Sequence, residues 1–512
     1  MLKFVKSHPL MSVMLVAVAL RLVAVLLSKG YMASDDHYET VMVASNWLCR
    51  GFYSDEGLLF WGDSSPAAIN RFPLYTMFLH LIMRCYYWLG VETLDTMMYG
   101  VRLVHALLSL ITVWAVYRIV ALVSRSPGWA AIAGLIAAAH GLMPFLSVHC
   151  LIEMVGGHFL VAAFYLIYRY NDDENQKWLF WAGILTGLAW MIRLQIAAAA
   201  LPIPFMLWWD NRQIKPAAYY CVGVLVMVLI AGVADYFVVG SFLRTMLNQL
   251  QTGHGQLYST IPMLYIAVVF LFLIPPFSAV VLWMGFNKTL WREHRLIIVS
   301  IATFILIHSL APNKQERFML PIVPLLMAVS VLAVWYHFRA RGFFSRHKYL
   351  FYSVVGVSLI VNMALLGVFT VNYGHKGLVE PMVIAQQMDP KPRVVPICTQ
   401  TFQIYPFDYG GICPIRYHVV FKWSDLEGFV PRQDGSDLFF LYPKSENDLA
   451  WHLDSLSNRV GEIKRVFHVG PSVVDRVLHF LNPKYNPTHE VWGYRLIRDP
   501  ISETETTPAH HM

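Results

Sequence analysis

Apolar residues along this chain gather into long runs, and the polar ones are confined to the gaps between them. The runs fall near 10–28, 72–90, 101–123, 128–146, 150–169, 178–195, 197–209, 216–239, 262–284, 294–311, 317–338 and 349–371. A helix needs about 20 residues to cross the hydrocarbon of a bilayer, so the pattern predicts an α-helical polytopic membrane protein with about 11–13 transmembrane helices. Segment 197–209 is too short alone and reads as half of a hairpin or a broken helix. A polar loop, 29–71, separates the first two runs. Within it the spacing of Val41, Ala44, Asn46 and Trp47 predicts a helix lying on the membrane surface. The membrane part therefore takes residues 1–372. Beyond it, prolines, charges and short alternating runs (Leu438–Tyr442, Arg465–Val469) predict a small α/β domain over 373–501, followed by a disordered tail at 502–512.

Composition removes the soluble alternatives. The 512 residues are 57% hydrophobic and 14% charged, against about 25% charged in soluble domains. So large an apolar surplus excludes a soluble enzyme, a disordered chain and a fibrous protein. The net charge of +7 would suggest nucleic acid in a soluble protein. Here the basic residues cluster in short loops, chiefly His337–Lys348, which is the positive-inside pattern and implies no nucleic-acid partner. Lys3 and Lys6 before the first run imitate a signal peptide, but no cleavage site leads into soluble sequence. The run reads as an uncleaved first span with cytoplasmic lysines. Twelve spans from that start would return the tail to the cytoplasm, whereas the basic loop sends it outside. One of the stretches 128–169 and 178–209 is then miscounted or re-entrant.

The six cysteines show no metal-ligand spacing. Cys49, Cys85, Cys150 and Cys221 read as packing residues. Cys398 and Cys413 would pair if the C-terminal domain sits in an oxidising compartment.

Three polar clusters stand out. Ser34-Asp35-Asp36-His37-Tyr38-Glu39 follows the first span. Its two adjacent carboxylates offer a general base with a partner, or equally a solvated loop start that caps a helix. Lys314 and Arg317, three residues apart in Asn313-Lys314-Gln315-Glu316-Arg317-Phe318, suit a phosphate, through a point charge and a planar fork. The plainer alternative is a basic turn. The third cluster is a set of polar groups in or near apolar segments: Arg71, Arg102, His105, His149, Glu153, His158, Arg193, Gln195 and Asp235. Ionisable groups at membrane depth face a wet cavity or a partner. Lone histidines there more often satisfy packing, so Arg193 and Asp235 are the stronger candidates. No Walker, GxSxG, HExxH or strand–helix GxGxxG motif occurs, so ATPase, hydrolase and dinucleotide readings lack support.

In this order the clusters resemble the Alg9-like mannosyltransferases, glycosyltransferase family 22. The family's acidic pair, of the form His-Pro-Asp-Glu, is matched by Ala33-Ser34-Asp35-Asp36. Its loop-ending Arg with a nearby Pro is matched by Arg71-Phe72-Pro73. Its Arg-Leu-x-x-Ala-Leu run is matched by Arg102-Leu103-Val104-His105-Ala106-Leu107, and a Gly-rich span ending in Arg by Gly183 to Arg193. An Asp-x-x-x-Tyr-Gly pattern is approximated at Asp235 to Gly240, and a Tyr-Gly-x-x-Pro at Tyr258 to Pro262. The family's His-Lys-Glu-Glu-Arg-Phe is matched by Asn313 to Phe318. Asn313 and Gln315 depart from that pattern, and Asp36 replaces the longer Glu. The likeness covers about residues 10–335; the C-terminal domain lies outside it and points to a bacterial or divergent member.

The resemblance implies a GT-C fold with its active site on the non-cytoplasmic face. It also implies a polyprenyl-phosphate sugar, foremost mannose, as donor and a lipid-linked or cell-envelope glycan as acceptor. Asp35 is then the expected base, with Asp36 as partner or runner-up. Lys314 and Arg317, then Arg193, are expected at the donor phosphate. Glu316, Arg71, Arg102, Glu153, Asp235 and Tyr258 are expected in support. A glycosyl phosphate leaves as an anion that cations can stabilise, so no metal or cofactor is expected. The bacterial inner membrane is the expected location, or the endoplasmic reticulum in a eukaryote. The rival readings are a GT-C enzyme for a pentose or amino-sugar, a transporter and a membrane scaffold. In the C-terminal domain Tyr405, Tyr409, Trp423 and Trp451 are either core or an acceptor-glycan surface.

Overall fold

The computed structural model describes residues 7–50, 71–252, 264–311, 314–399, 405–412, 416–432, 434–481, 483 and 490–497. It divides into two compact units, Met1–Val91 with Thr96–Gly374 and Glu92–Asp95 with His375–Met512.

The first unit is a helical bundle. Among the described residues five helices are long and apolar enough to cross a membrane: Pro9–Leu27, Leu94–Ser124, Ile214–Val239, Glu316–Arg339 and Lys348–Thr370. A bent pair, Leu264–Phe272 and Phe277–Gly285, would add a sixth; it turns through 111° at Pro275-Pro276, where backbone donors are missing. The apolar helices Pro127–Ala139, Lys177–Ile192 and Arg295–Leu310 are shorter, and Ile152–Asp173 carries a charged C-terminal end. Both stretches whose topology was in conflict are also broken. One stops at Ala139, makes a single turn at Met143–Leu146 and resumes at Ile152. The other breaks at Arg193, in extended backbone, and continues through Leu194–Ile196 and Ala197–Ala200 to Pro202–Asn211. Small residues let the helices touch. A Cβ on Gly183 would stand 2.1 Å from the Tyr220 carbonyl oxygen, and one on Gly223 would stand 2.2 Å from that of Phe180, the close approach that glycine permits between membrane helices.

One small feature orients the bundle. Strand β1, Lys29–Gly30, pairs in parallel with β2, Tyr373–Gly374. Each strand directly follows a spanning helix, Pro9–Leu27 or Lys348–Thr370. These two helices therefore end at the same face and start at the opposite one. After β1 comes the short helix Ser34–Asp36, a π-helical turn at His37–Val41, and the helix Met42–Arg50. The predicted surface helix is instead packed: Val41, Ala44 and Trp47 are buried, and the segment lies against Pro73–Trp88.

The second unit is α/β. Among the described residues its sheet has four strands, β3 (Arg393–Pro396), β4 (Asp437–Leu441), β5 (Ile463–Val469) and β6 (Val491–Leu496), in the order β3–β4–β6–β5. β3 and β4 are parallel and the other pairs antiparallel. The two alternating runs of the sequence are β4 and β5. Tyr405 and Tyr409 are core residues, whereas Trp451 is exposed and meets the edge of Trp423. Cys398 is a buried thiol outside any disulfide, 3.0 Å from the Tyr405 hydroxyl. The suggested Cys398–Cys413 disulfide is therefore not formed, because that thiol is turned into the core; Cys413 itself lies outside the described residues. Cys85, Cys150 and Cys221 are free, but Cys49 is disulfide-bonded, so it is more than a packing residue.

Candidate active site

The end of the first span is fixed by polar groups from its neighbours. Arg102 donates to the Ser28 carbonyl oxygen at 2.5 Å and lies 4.5 Å from the centre of the Tyr99 ring. His149 Nε2 is 2.8 Å from Ser28 Oγ. Arg102 thus braces the root of the segment that bears the acidic pair.

Asp35 and Asp36 then turn toward two arginines from distant parts of the chain, Arg71 and Arg317. Arg317 donates to Asp35 Oδ2 at 2.6 Å, across 282 positions. Arg71 reaches the same oxygen at 3.1 Å, Asp36 Oδ1 at 3.2 Å and Glu39 at 2.8 Å. Asp36 Oδ2 lies 3.4 Å from both Arg317 and the Ile152 backbone N–H, which donates to it. Asp36 thereby satisfies one of the free donors that begin the helix Ile152–Asp173. The next residue of that helix, Glu153, pairs with Arg193 at 3.0 Å and stands 3.8 Å from Arg317. Arg193 and Arg317 also both lie over the Phe318 ring, at 5.0 and 5.7 Å, a shelf that suits guanidinium groups.

Burial separates the two aspartates. The Asp35 side chain is 42% exposed and that of Asp36 is 1% exposed. What burial Asp35 has would raise its carboxyl, but the Arg317 and Arg71 charges outweigh this and hold it well below the usual carboxylate range. Asp36 goes the other way. Burial, reinforced by the charges of Glu153 and Asp35, pushes it up despite the arginines. Two neighbouring carboxyls driven apart in this way are suited to different tasks.

Of the residues singled out by sequence, Asp35, Asp36, Arg71, Glu153, Arg193 and Arg317 form this one cluster. Lys314 does not join its ion pairs: it is buried and donates to the Ala311 carbonyl oxygen at 2.6 Å. Glu316 is exposed. Asp235 accepts from the backbone N–H and hydroxyl of Thr245, both at 2.8 Å, and so braces the turn into Arg244–Thr252. Tyr258 lies outside the described residues. Two participants were missed. Glu39 sits one helical turn after Asp35, a spacing that could have marked it. Gln315, treated only as a departure from the family pattern, accepts from Arg317 Nε at 2.7 Å and so steadies that guanidinium. Among the described residues no group of three or more His, Cys, Asp or Glu side chains is placed to hold a metal ion.

A sequence profile of the Alg9-like mannosyltransferase family matches residues 12–401. The chain belongs to that family. It is an integral, multi-pass membrane glycosyltransferase with a GT-C fold. Among solved structures this glycosyltransferase is similar to ArnT from Cupriavidus metallidurans. The apo form aligns with a TM-score of 0.60 at 13% identity, covering 96% of this chain and 98% of that one. The same enzyme bound to undecaprenyl phosphate aligns with a TM-score of 0.51 at 13% identity and the same coverage. A search of curated protein sequences finds no match.

Proposed function

We propose that this glycosyltransferase moves mannose from a polyprenyl-phosphate donor to a lipid-linked or cell-envelope glycan, with inversion, on the non-cytoplasmic face of a bacterial inner membrane. The observation that carries the reading is the 2.6 Å contact between Arg317 and Asp35. It joins a carboxylate able to take a proton to a guanidinium able to take a phosphate. The similar ArnT structure bound to undecaprenyl phosphate supports the class of donor, and the family supports the sugar.

The step balances. The acceptor hydroxyl attacks the anomeric carbon from the face opposite the phosphate and loses its proton to Asp35. The bond from that carbon to the phosphate oxygen breaks, and its electron pair stays on the lipid phosphate. One carboxylate and one phosphodiester monoanion become a neutral carboxyl and a phosphomonoester dianion. Negative charge thus passes from one neighbour of Arg317 to another, and the guanidinium stabilises it at both ends. Asp36, buried and tied to the Ile152 N–H, holds the frame. Because the carboxylates are already matched to arginines, the proposed reaction uses no metal, and a chelator should leave turnover unchanged. The disulfide at Cys49 supports an oxidising compartment for the face that carries the site. The test is transfer of labelled mannose from polyprenyl-phosphate mannose to membrane extract by the purified protein and by Asp35→Asn. Label in lipid-linked glycan with the first and not the second is the expected result; equal transfer by both removes Asp35 from the mechanism.

A further inference from the structure

Four carboxylates, Asp35, Asp36, Glu39 and Glu153, are paired here with three guanidinium groups, those of Arg71, Arg193 and Arg317. Asp35 serves as base, Asp36 holds a helix start and Glu39 steadies Arg71. Glu153 has no such task. It is fully buried, in the first turn of Ile152–Asp173, where the helix dipole favours its charge. It stands against the two arginines that share the Phe318 shelf. A buried ion pair is weak evidence of stabilisation, so its value must be sought in the chemistry.

We infer that Glu153 is a positioning residue that weakens the hold of Arg193 and Arg317 on the lipid phosphate enough for the product to leave. The inference rests on the donor reading above. The phosphate arrives as a monoanion and departs as a dianion, so the site grips its product harder than its substrate unless a fixed negative charge opposes it. Glu153 supplies that charge against the same guanidinium groups, buried away from solvent screening. At several ångströms and an effective dielectric near 20, a unit charge changes the binding of an anion by about tenfold to a hundredfold.

The test is the affinity of undecaprenyl phosphate for the full-length protein in nanodiscs, together with steady-state kinetics. Glu153→Gln keeps shape and removes charge. It should bind the lipid phosphate about tenfold tighter or more, with donor KM and kcat both lowered, as expected when release becomes slow. A residue that only shapes the pocket would instead weaken binding and raise KM. Glu153→Asp retracts the charge by one methylene; it should tighten binding by a smaller factor, and it serves alone if the Gln variant does not fold. Unchanged or weaker binding in either folded variant overturns the proposal. If the wild-type protein fails to bind undecaprenyl phosphate, the donor reading falls. If it binds and the variants match it, only the role of Glu153 falls.

Discussion

Asp35 is the most exposed carboxylate of the cluster and, like Asp36, is held by both Arg71 and Arg317. Its held-down carboxyl is ionised in the free protein at any pH near neutral. As pH falls, the base is lost only on passing below the usual carboxylate range. We therefore expect kcat/KM to show no acid limb from Asp35 above about pH 4; an acid limb centred near neutrality in a pH–rate profile would assign the base elsewhere. Asp35→Asn should lower turnover about 10³-fold or more, the upper part of what a positioned base contributes. Arg317→Lys keeps the charge but loses the fork that spans Asp35, Asp36 and Gln315. It should lose about 10²-fold in kcat with little change in thermal stability, measured by single-turnover transfer and a melting curve. The acidic pair and Arg317 were legible in sequence because polar residues are rare in so apolar a chain. Lys314 was not: three-residue spacing puts it near Arg317, but the chain there is extended before a 3₁₀ turn, and its ammonium goes to a backbone carbonyl instead.

Elements carry a different kind of information. The long runs were read directly as helices because length and hydropathy suffice for that. Their breaks showed only indirectly, as a conflict in the charge pattern and, at 197–209, as a run too short to span alone. The break at Arg193 has a physical purpose, since it releases that side chain from the helix beside Glu153 and Phe318. Asp235 shows the converse error. A buried carboxylate in a membrane helix reads as functional, but here it satisfies the Thr245 backbone N–H and hydroxyl. Asp235→Ala should cost about 1–3 kcal/mol of stability by stranding those donors and leave kcat within a few-fold of wild type. A change in kcat comparable to that of Asp35→Asn would restore Asp235 to the site. The β1–β2 pair is the tighter constraint on the acidic segment. Gly30 has φ +70°, and a Cβ there would fall 1.9 Å from the Gly374 carbonyl oxygen. Gly30→Ala should therefore disturb the root of Asp35 and reduce transfer.

For the whole molecule, the decisive geometry is which ends of which helices coincide. Asp35 follows the end of Pro9–Leu27, and Arg317, which touches it, lies at the start of the segment that continues as Val323–Arg339. That helix rises about 25 Å before the basic turn at 340–347. Lys348–Thr370 then returns to the starting face, where β2 pairs with β1. The basic turn and the acidic cluster thus lie at opposite ends of the bundle. The chain makes an odd number of crossings between Pro9 and Thr370, which resolves the conflict left by counting twelve apolar runs. If the positive-inside rule fixes the basic turn in the cytoplasm, the site opens on the other side. The check uses single cysteines at two exposed positions, Ser34→Cys and Arg346→Cys, in a background whose free thiols are replaced. A membrane-impermeant maleimide added to intact cells should label the first and not the second, and inverted vesicles should reverse the result. Labelling of both from one side would deny that the bundle separates these ends, and labelling of Arg346→Cys alone in cells would invert the assigned topology and move glycan transfer to the cytoplasmic face.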